Sequence, residues 1–222
     1  MGQTIFITGI GTDVGKTVAA AVLAEALQAD YWKPVQAGFD AGTDAAFIQS
    51  VISNTQTKIY PETYKLKLPA SPHIAAKEEG IRIELDEIEK DYFKIINARG
   101  SSHHSTVTAQ HLIIEGAGGI MVPLNENEFV LHLIKKLQAK VVLVSRNYLG
   151  SINHSLLTAQ VCKAHHIEVL GWIFNDQYMN YEEEIMQWSG YKRIASLPLA
   201  GVVNAAFIRQ QAAQLKENLP VC

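Results

Sequence analysis

The sequence predicts an α/β fold of three layers, α/β/α, with a mostly parallel central sheet between two layers of helices. Three observations carry this. Short, almost wholly apolar segments recur along the chain, as strands buried on both faces do. Longer segments of helical periodicity alternate with them. The first strand also runs directly into a glycine-rich loop that opens a helix.

Taken in order, Thr4–Thr8 (TIFIT) is β-branched, bounded by Gly9, and reads as a buried strand. Val18–Leu27 is rich in Ala and Leu and reads as a helix. Tyr31–Val35 reads as a second strand closed by a turn at Gly38, and Asp44–Ile52 as a helix with Ala45, Ile48 and Ile52 on one face. Three prolines (Pro61, Pro69, Pro72) make Tyr60–Pro72 an expected extended loop. Leu85, Ile88, Tyr92 and Ile95 form a helical stripe, and Gly100–Ser105 is a polar loop. Alternation then resumes. His111–Ile114, Lys140–Val144, Val169–Phe174 and Ile194–Leu197 are strands; Phe129–Leu137, Ser155–Ala164, Glu182–Trp188 and Ala205–Leu215 are helices. No repeat, linker or low-complexity tract interrupts residues 1–222, so one domain is the economical expectation.

Composition narrows the function classes. The 222 residues carry 19 Lys+Arg against 22 Asp+Glu, a net charge of −3. That balance argues against a dedicated nucleic-acid or anionic-membrane binder. No stretch approaches the roughly 20 apolar residues of a membrane helix, and the first residues lack a basic, apolar leader pattern. The two cysteines, Cys162 and Cys222, make no CxxC pair, so neither a zinc site nor a disulfide framework is expected. A cytoplasmic protein is the default expectation.

The strongest chemical signal is Gly9-Ile10-Gly11-Thr12-Asp13-Val14-Gly15-Lys16-Thr17. Strand, glycine-rich loop, Lys-Thr and helix occur in the order a phosphate-binding loop requires, which makes the expected fold P-loop NTPase-like. Glycines let backbone N–H groups face an anion, and the helix N-terminus adds partial positive charge. Thr12, Asp13, Val14, Gly15, Lys16, Thr17 and Val18 are the expected nucleotide cradle; Lys16 would reach the β/γ-phosphates and the Thr17 hydroxyl would bind Mg²⁺. Five residues separate Gly9 from Gly15, where the strict pattern has four.

Two further clusters point at the same crevice. Lys33, in Tyr31–Gly38 (YWKPVQAG), ends the second expected strand, and open α/β sheets bind ligands beyond the carboxyl ends of their strands. Asp44 follows shortly, as a Mg²⁺ ligand or as a helix cap. Glu115, at the expected end of the strand before Gly116-Ala117-Gly118-Gly119, suits a metal ligand beside a phosphate. Thr17, Asp44 and Glu115 could together hold one Mg²⁺ through oxygen, with Lys16 and Lys33 balancing charge on the γ-phosphate.

GIGTDVGKT, YWKPVQAG, TDA, SPH, EGAGG, LGSINHSLLTAQV and GWIFND, in that order from Gly9 to Asp176, resemble the ATP-dependent dethiobiotin synthetase family over about three-quarters of the chain. The five-spacer loop is itself a feature of that family. The resemblance implies a homodimer of P-loop subunits acting on 7,8-diaminopelargonate, CO₂ (or bicarbonate) and ATP with Mg²⁺. It implies a ligase of biotin biosynthesis that makes a carbamate, then a mixed carbamic–phosphoric anhydride, then the closed ring. By the same resemblance, Thr12, Gly15, Lys16 and Thr17 match phosphate-binding positions, and Asp44 and Glu115 match the Mg²⁺ carboxylates. Lys33 matches the second catalytic lysine, Gly118 a substrate-contacting backbone position, and Asn175 the side chain that reads adenine. Gly150, Ser151 and Asn153 match a loop reaching the partner subunit's substrate. Four places depart from the family's best-known members: Ala37 replaces a substrate-contacting serine, Asp13 a glutamate and Tyr148 a lysine, and Pro198–Val203, which would wall the adenine pocket, is only loosely similar.

Other residues read as structure. His103/His104 and His165/His166 lack a third ligand, and the latter pair favours a helix C-terminus. His73 either walls the substrate pocket or is a loop residue. His154 and Cys162 read as packing, Trp32, Trp172 and Trp188 as core or interface, and Glu182–Glu184 as a solvated helix start. Two other functions share the fold. A partner-regulated switch of the partitioning type would carry an early loop lysine where this chain has Ile10, and a larger amide-forming synthetase would carry a glutaminase domain.

Overall fold

The computed structural model describes residues 2–40, 42–100, 111–176 and 179–216, the side chains of 99 and 100 excepted. Its elements run β1 (Thr4–Gly9), α1 (Lys16–Leu27), β2 (Asp30–Trp32), β3 (Val35–Ala37), α2 (Asp44–Val51), β4 (Ile59–Tyr60) and β5 (Tyr64–Leu66). Then follow α3 (Pro72–Glu78), α4 (Leu85–Gly100), β6 (Leu112–Gly119), α5 (Val130–Lys136), β7 (Lys140–Arg146) and α6 (Ser151–Ala164). The chain closes with β8 (Val169–Asn175), α7 (Glu182–Ser189), β9 (Arg193–Leu197) and α8 (Ala205–Lys216).

Seven strands form one parallel sheet in the order β4-β2-β6-β1-β7-β8-β9. β1 lies between β6 and β7, with Phe6 level with Ile114 on one side and Val141 on the other. Successive strand residues point to opposite faces. Phe6, Leu112, Ile114, Leu143, Trp172 and Phe174 pack with α3, α4, α5 and α6. Ile5, Ile7, Ile113, Val142, Val144 and Ile173 pack with α1, α2 and α8. Both faces are covered, which is why the strands read as unbroken apolar runs rather than alternating ones. Three layers with a parallel centre are as expected. No helix among the described residues is long and apolar enough to cross a membrane.

Several boundaries differ from the sequence reading. The expected strand Tyr31–Val35 is two strands in two sheets: β2 stays in the main sheet, while β3 leaves it to pair with β5. The break falls at Lys33-Pro34, where proline supplies no N–H to a ladder. Tyr60–Pro72 is not a plain loop. Its prolines punctuate β4 and β5, and Pro72 occupies the first position of α3, where a missing N–H costs nothing. Glu115 lies inside β6 rather than at its end, level with Ile7 of β1. α6 starts four residues before Ser155, because Gly150 turns the chain at φ 104 and the helix begins at once. Ser151 and Asn153 therefore belong to its first turn and not to a loop. Residues 101–105 of the polar segment, His103/His104 and Cys222 lie outside the described residues.

Candidate active site

β1 delivers the glycine-rich loop to the carboxyl edge of the sheet. Gly15, at φ 88, caps α1 and turns the chain into it. A Cβ there would land on the Asn175 amide, so both the dihedral and the space demand glycine. That amide donates from Nδ2 to the Val14 carbonyl at 2.8 Å, fastening the loop to the end of β8. Asp13 takes the left-handed region at φ 56, which Asp tolerates better than most residues. Lys16 Nζ folds back onto the Gly11 carbonyl at 2.8 Å. Burial pushes its pKa down and Lys33 adds to that, with Glu115, Asp44 and Asp13 offsetting only part.

Side chains of α1, α2, β6 and the β2–β3 segment meet beside this loop. Thr17 Oγ1, in the first turn of α1, lies 2.9 Å from both Asp44 Oδ1 and Glu115 Oε1, its one proton within reach of either. Lys33 Nζ, in the gap where β3 leaves the sheet, donates to Asp44 Oδ2 and, at 3.2 Å, to Glu115 Oε1. Tyr31 Oη donates to Glu115 Oε2 at 2.8 Å. Burial alone would lower the Lys33 pKa, but Glu115 and Asp44 outweigh it and hold the ammonium above its ordinary range. Burial alone would raise the Asp44 carboxyl, yet Lys33, Thr17 and Lys16 hold it below. Burial, reinforced by the charges of Glu115 and Asp44, holds the Tyr31 phenol well above its ordinary value, so it stays a donor. The cap of α2 is Thr43 and not Asp44, which is the first residue of the helix and faces the cleft.

These residues line one cleft of about 980 Å³. Thr12, Asp13, Gly15, Lys16, Thr17, Val18, Lys33, Ala37, Asp44, Glu115 and Gly118 all face it, with Val35, Gln36, Phe47 and the Pro69–Pro72 turn. A neighbouring cleft of about 530 Å³ is lined by Thr12, Asp13, Val14, Arg146, Asn147, Tyr148 and Asp176. The two share Thr12 and Asp13, so the loop lies between them.

A Mg²⁺ ion fits this donor set. Two carboxylates and a hydroxyl present hard oxygens, and a cation, the Lys33 ammonium, already sits between the carboxylates. Mg²⁺ takes one or two carboxylates and completes its shell with phosphate oxygens and water.

Gly150, Ser151 and Asn153, expected at the partner subunit's substrate rather than their own, line neither cleft of this chain. Ser151 is fully buried, its Oγ placed against Tyr148 N at 3.3 Å and Tyr181 Oη at 2.7 Å, so it anchors the turn within its own subunit; Gly150 and Asn153 are exposed. Leu199 and Val202, of the segment expected to wall the adenine pocket, are exposed and line neither cleft. His73 lies in α3, against Ser71 Oγ at 3.0 Å, and the cleft is met instead by Ser71 and Pro72. Trp188 is half exposed, unlike buried Trp32 and Trp172. Glu182 is not solvated: it is buried, accepting from Ser196 Oγ and from Arg193 at 3.2 Å, because the start of α7 packs on β9. Cys162 is core, its thiol pushed up to about 12 by burial. The sequence reading missed Tyr31, Gln36, Arg146 and Asp176. Tyr31 sits two residues before Lys33 in an apolar strand and reads there as core; Asp176 follows Asn175 in the quoted GWIFND segment.

Comparison with known proteins bears on the family and the fold. A family model described as an AAA domain matches residues 3–206. Among curated relatives, the ATP-dependent dethiobiotin synthetase BioD of Cytophaga hutchinsonii is 43% identical over 215 residues, covering 96% of this chain and 97% of its own. That of Christiangramia forsetii is 37% identical, covering 99% of each. Among solved structures, the MinD cell division protein of Aquifex aeolicus superposes with a TM-score of 0.60 at 13% identity, covering all of both chains. A ParA family ATPase of Chlorobium tepidum gives 0.57 at 13%, covering 96% of this chain and 98% of its own. At such identities the structures speak for the P-loop fold alone. The near-complete alignments at 37–43% identity say more, and by them the chain belongs to the ATP-dependent dethiobiotin synthetase family.

Proposed function

We propose that this chain is an ATP- and Mg²⁺-dependent ligase that carboxylates 7,8-diaminopelargonate with CO₂ and closes the ring to dethiobiotin. The observation that carries it is the meeting of Lys33, Asp44 and Glu115 with the phosphate loop in one cleft of about 980 Å³, room for a triphosphate and a second substrate together.

One substrate amine adds to CO₂ and loses a proton, giving a carbamate. A carbamate oxygen attacks the γ-phosphorus, ADP leaves, and a carbamic–phosphoric anhydride results. The second amine attacks the carbonyl carbon, phosphate leaves, and the ring closes. Bound at Thr17, Asp44 and Glu115, Mg²⁺ supplies charge neutralisation on the phosphates. Lys16 unfolds from the Gly11 carbonyl to hold the β/γ-phosphates. Lys33 moves its ammonium from the carboxylates to the carbamate and γ-phosphate, drawing the two anions together; fixed charges aimed at a developing charge are the largest usual source of rate. Ala37 retains the backbone N–H of its position without a hydroxyl. Asn175 would read the adenine base after turning its amide from the Val14 carbonyl, with Asp176 lining the neighbouring cleft beside it. The exposed turn of Leu149, Gly150 and Asn153 meets a second copy of the chain, so the working unit is a homodimer with substrate bound across its interface.

The test is ADP release with ATP, Mg²⁺ and bicarbonate, with and without the diamine. Diamine-dependent ADP matched one-to-one by dethiobiotin is the expected result. ADP formed at the same rate without diamine, or none formed with it, overturns the reading and leaves a regulatory ATPase on the same fold.

A further inference from the structure

Glu115 is 1% exposed and its two oxygens face different surroundings. Oε1 looks into the cleft, toward Thr17 Oγ1 at 2.9 Å and Lys33 Nζ at 3.2 Å. Oε2 looks back into the sheet and accepts from Tyr31 Oη at 2.8 Å. Tyr31 is fully buried at the centre of β2, level with Ile113 of β6 and Ile59 of β4, and packs in the core under α1 and α2. Backbone pairing on both sides and full burial of the ring hold the phenol against Glu115.

We propose that Tyr31 is a positioning residue that makes Glu115 a one-oxygen ligand and thereby sets the preference of the site for Mg²⁺ over larger divalent cations. This rests on the metal reading above. A carboxylate with one oxygen committed to a phenol offers the other singly. Mg²⁺ demands near-octahedral geometry at about 2.0–2.1 Å and keeps several waters, so a single oxygen serves it well. Ca²⁺ takes six to eight oxygens at about 2.3–2.6 Å and gains from a bidentate carboxylate, which the Tyr31 hydrogen bond opposes. Removing the phenol hydroxyl frees Oε2 and lets the carboxylate rotate. Mg²⁺ then loses an oriented ligand, and Ca²⁺ gains an oxygen.

The experiment titrates Mg²⁺ and, separately, Ca²⁺ into the protein–ADP complex, following a fluorescent ADP analogue, for wild type and Tyr31→Phe. Wild type is expected to bind Mg²⁺ the more tightly. In the variant, Mg²⁺ affinity should fall about 10–100-fold, as when other second-layer partners of metal ligands are removed. Ca²⁺ should fall less or rise, while metal-free ADP affinity stays constant. An unchanged Mg²⁺/Ca²⁺ ratio in a variant that binds metal-free ADP normally overturns the role of Tyr31. A wild type whose ADP binding ignores both ions overturns the metal reading, and this proposal with it. Should Tyr31→Phe fail to fold, the infrared carboxylate stretches of wild type on Mg²⁺ addition decide: a shift to monodentate coordination supports the proposal, a bidentate one overturns it.

Discussion

Lys33 is paid for by two acids before any ligand arrives. Its side chain is 9% exposed and that of Glu115 1%, so neither charge stands without the other at low cost. Lys33→Ala should reduce turnover about 10²–10³-fold. It should also lower the melting temperature, by leaving two neighbouring carboxylates uncompensated, and Mg²⁺ should restore part of the loss; melting with and without the ion checks both. Asp44 adds a pH dependence of known sign. Its folded pKa lies below the ordinary 3.8, so the stability it lends is fully present above that value and is lost as pH falls through the depressed one. The melting-temperature gap between wild type and Asp44→Asn should therefore be constant near neutrality and close below pH 3.8. Most of these residues were legible in the sequence, because GKT, the lysine at a strand end and the EGAGG acid each carry chemistry in their spacing. Tyr31 was not: a tyrosine in an apolar strand announces burial, and only its hydroxyl's neighbour reveals the second task.

At the scale of elements, the site depends on how α2 begins. Thr43 Oγ1 accepts from Ala46 N at 3.1 Å, and Gln36 Oε1 accepts from Asp44 N at 3.3 Å while its Nε2 donates to the Gly38 carbonyl at 2.8 Å. The helix start that carries Asp44 is thus pinned to the end of β3. Thr43→Ala should cost about 1 kcal/mol of stability and raise the Mg²⁺ concentration needed for half-maximal turnover; denaturant melts and a Mg²⁺ titration check this. Helix existence was readable from periodicity, as in the Leu85, Ile88, Tyr92, Ile95 stripe. Partition between sheets was not, because Tyr31–Val35 is uniformly strand-like and only Pro34 hints that the ladder stops there. Nor was the early start of α6, where the family resemblance implies a loop at Gly150, Ser151 and Asn153 but the helix begins at Ser151.

For the whole molecule, the apolar side chains left in water bear on assembly. Leu149 is 87% exposed and Leu157 57%, flanking the Gly150–Asn153 turn. Two exposed leucines beside a turn that lines no cleft of its own subunit suit an interface between copies. Leu149→Asp should shift sedimentation toward the monomer and lower turnover at dilute enzyme, with recovery as concentration rises. A wild type that already sediments as a monomer, or an unaltered profile in the variant, counts against this interface.

The amide that fastens the phosphate loop lies 161 residues beyond it in the chain. To bring them together, β7 must be laid beside β1 and β8 beside β7. A nascent chain that has left the ribosome only through β7 already carries the full GIGTDVGKT segment, yet lacks Asn175 to close over Gly15. Parallel pairing at such separation is slow to form. Nucleotide capture therefore waits on β8 during synthesis, although the motif responsible is translated long before it.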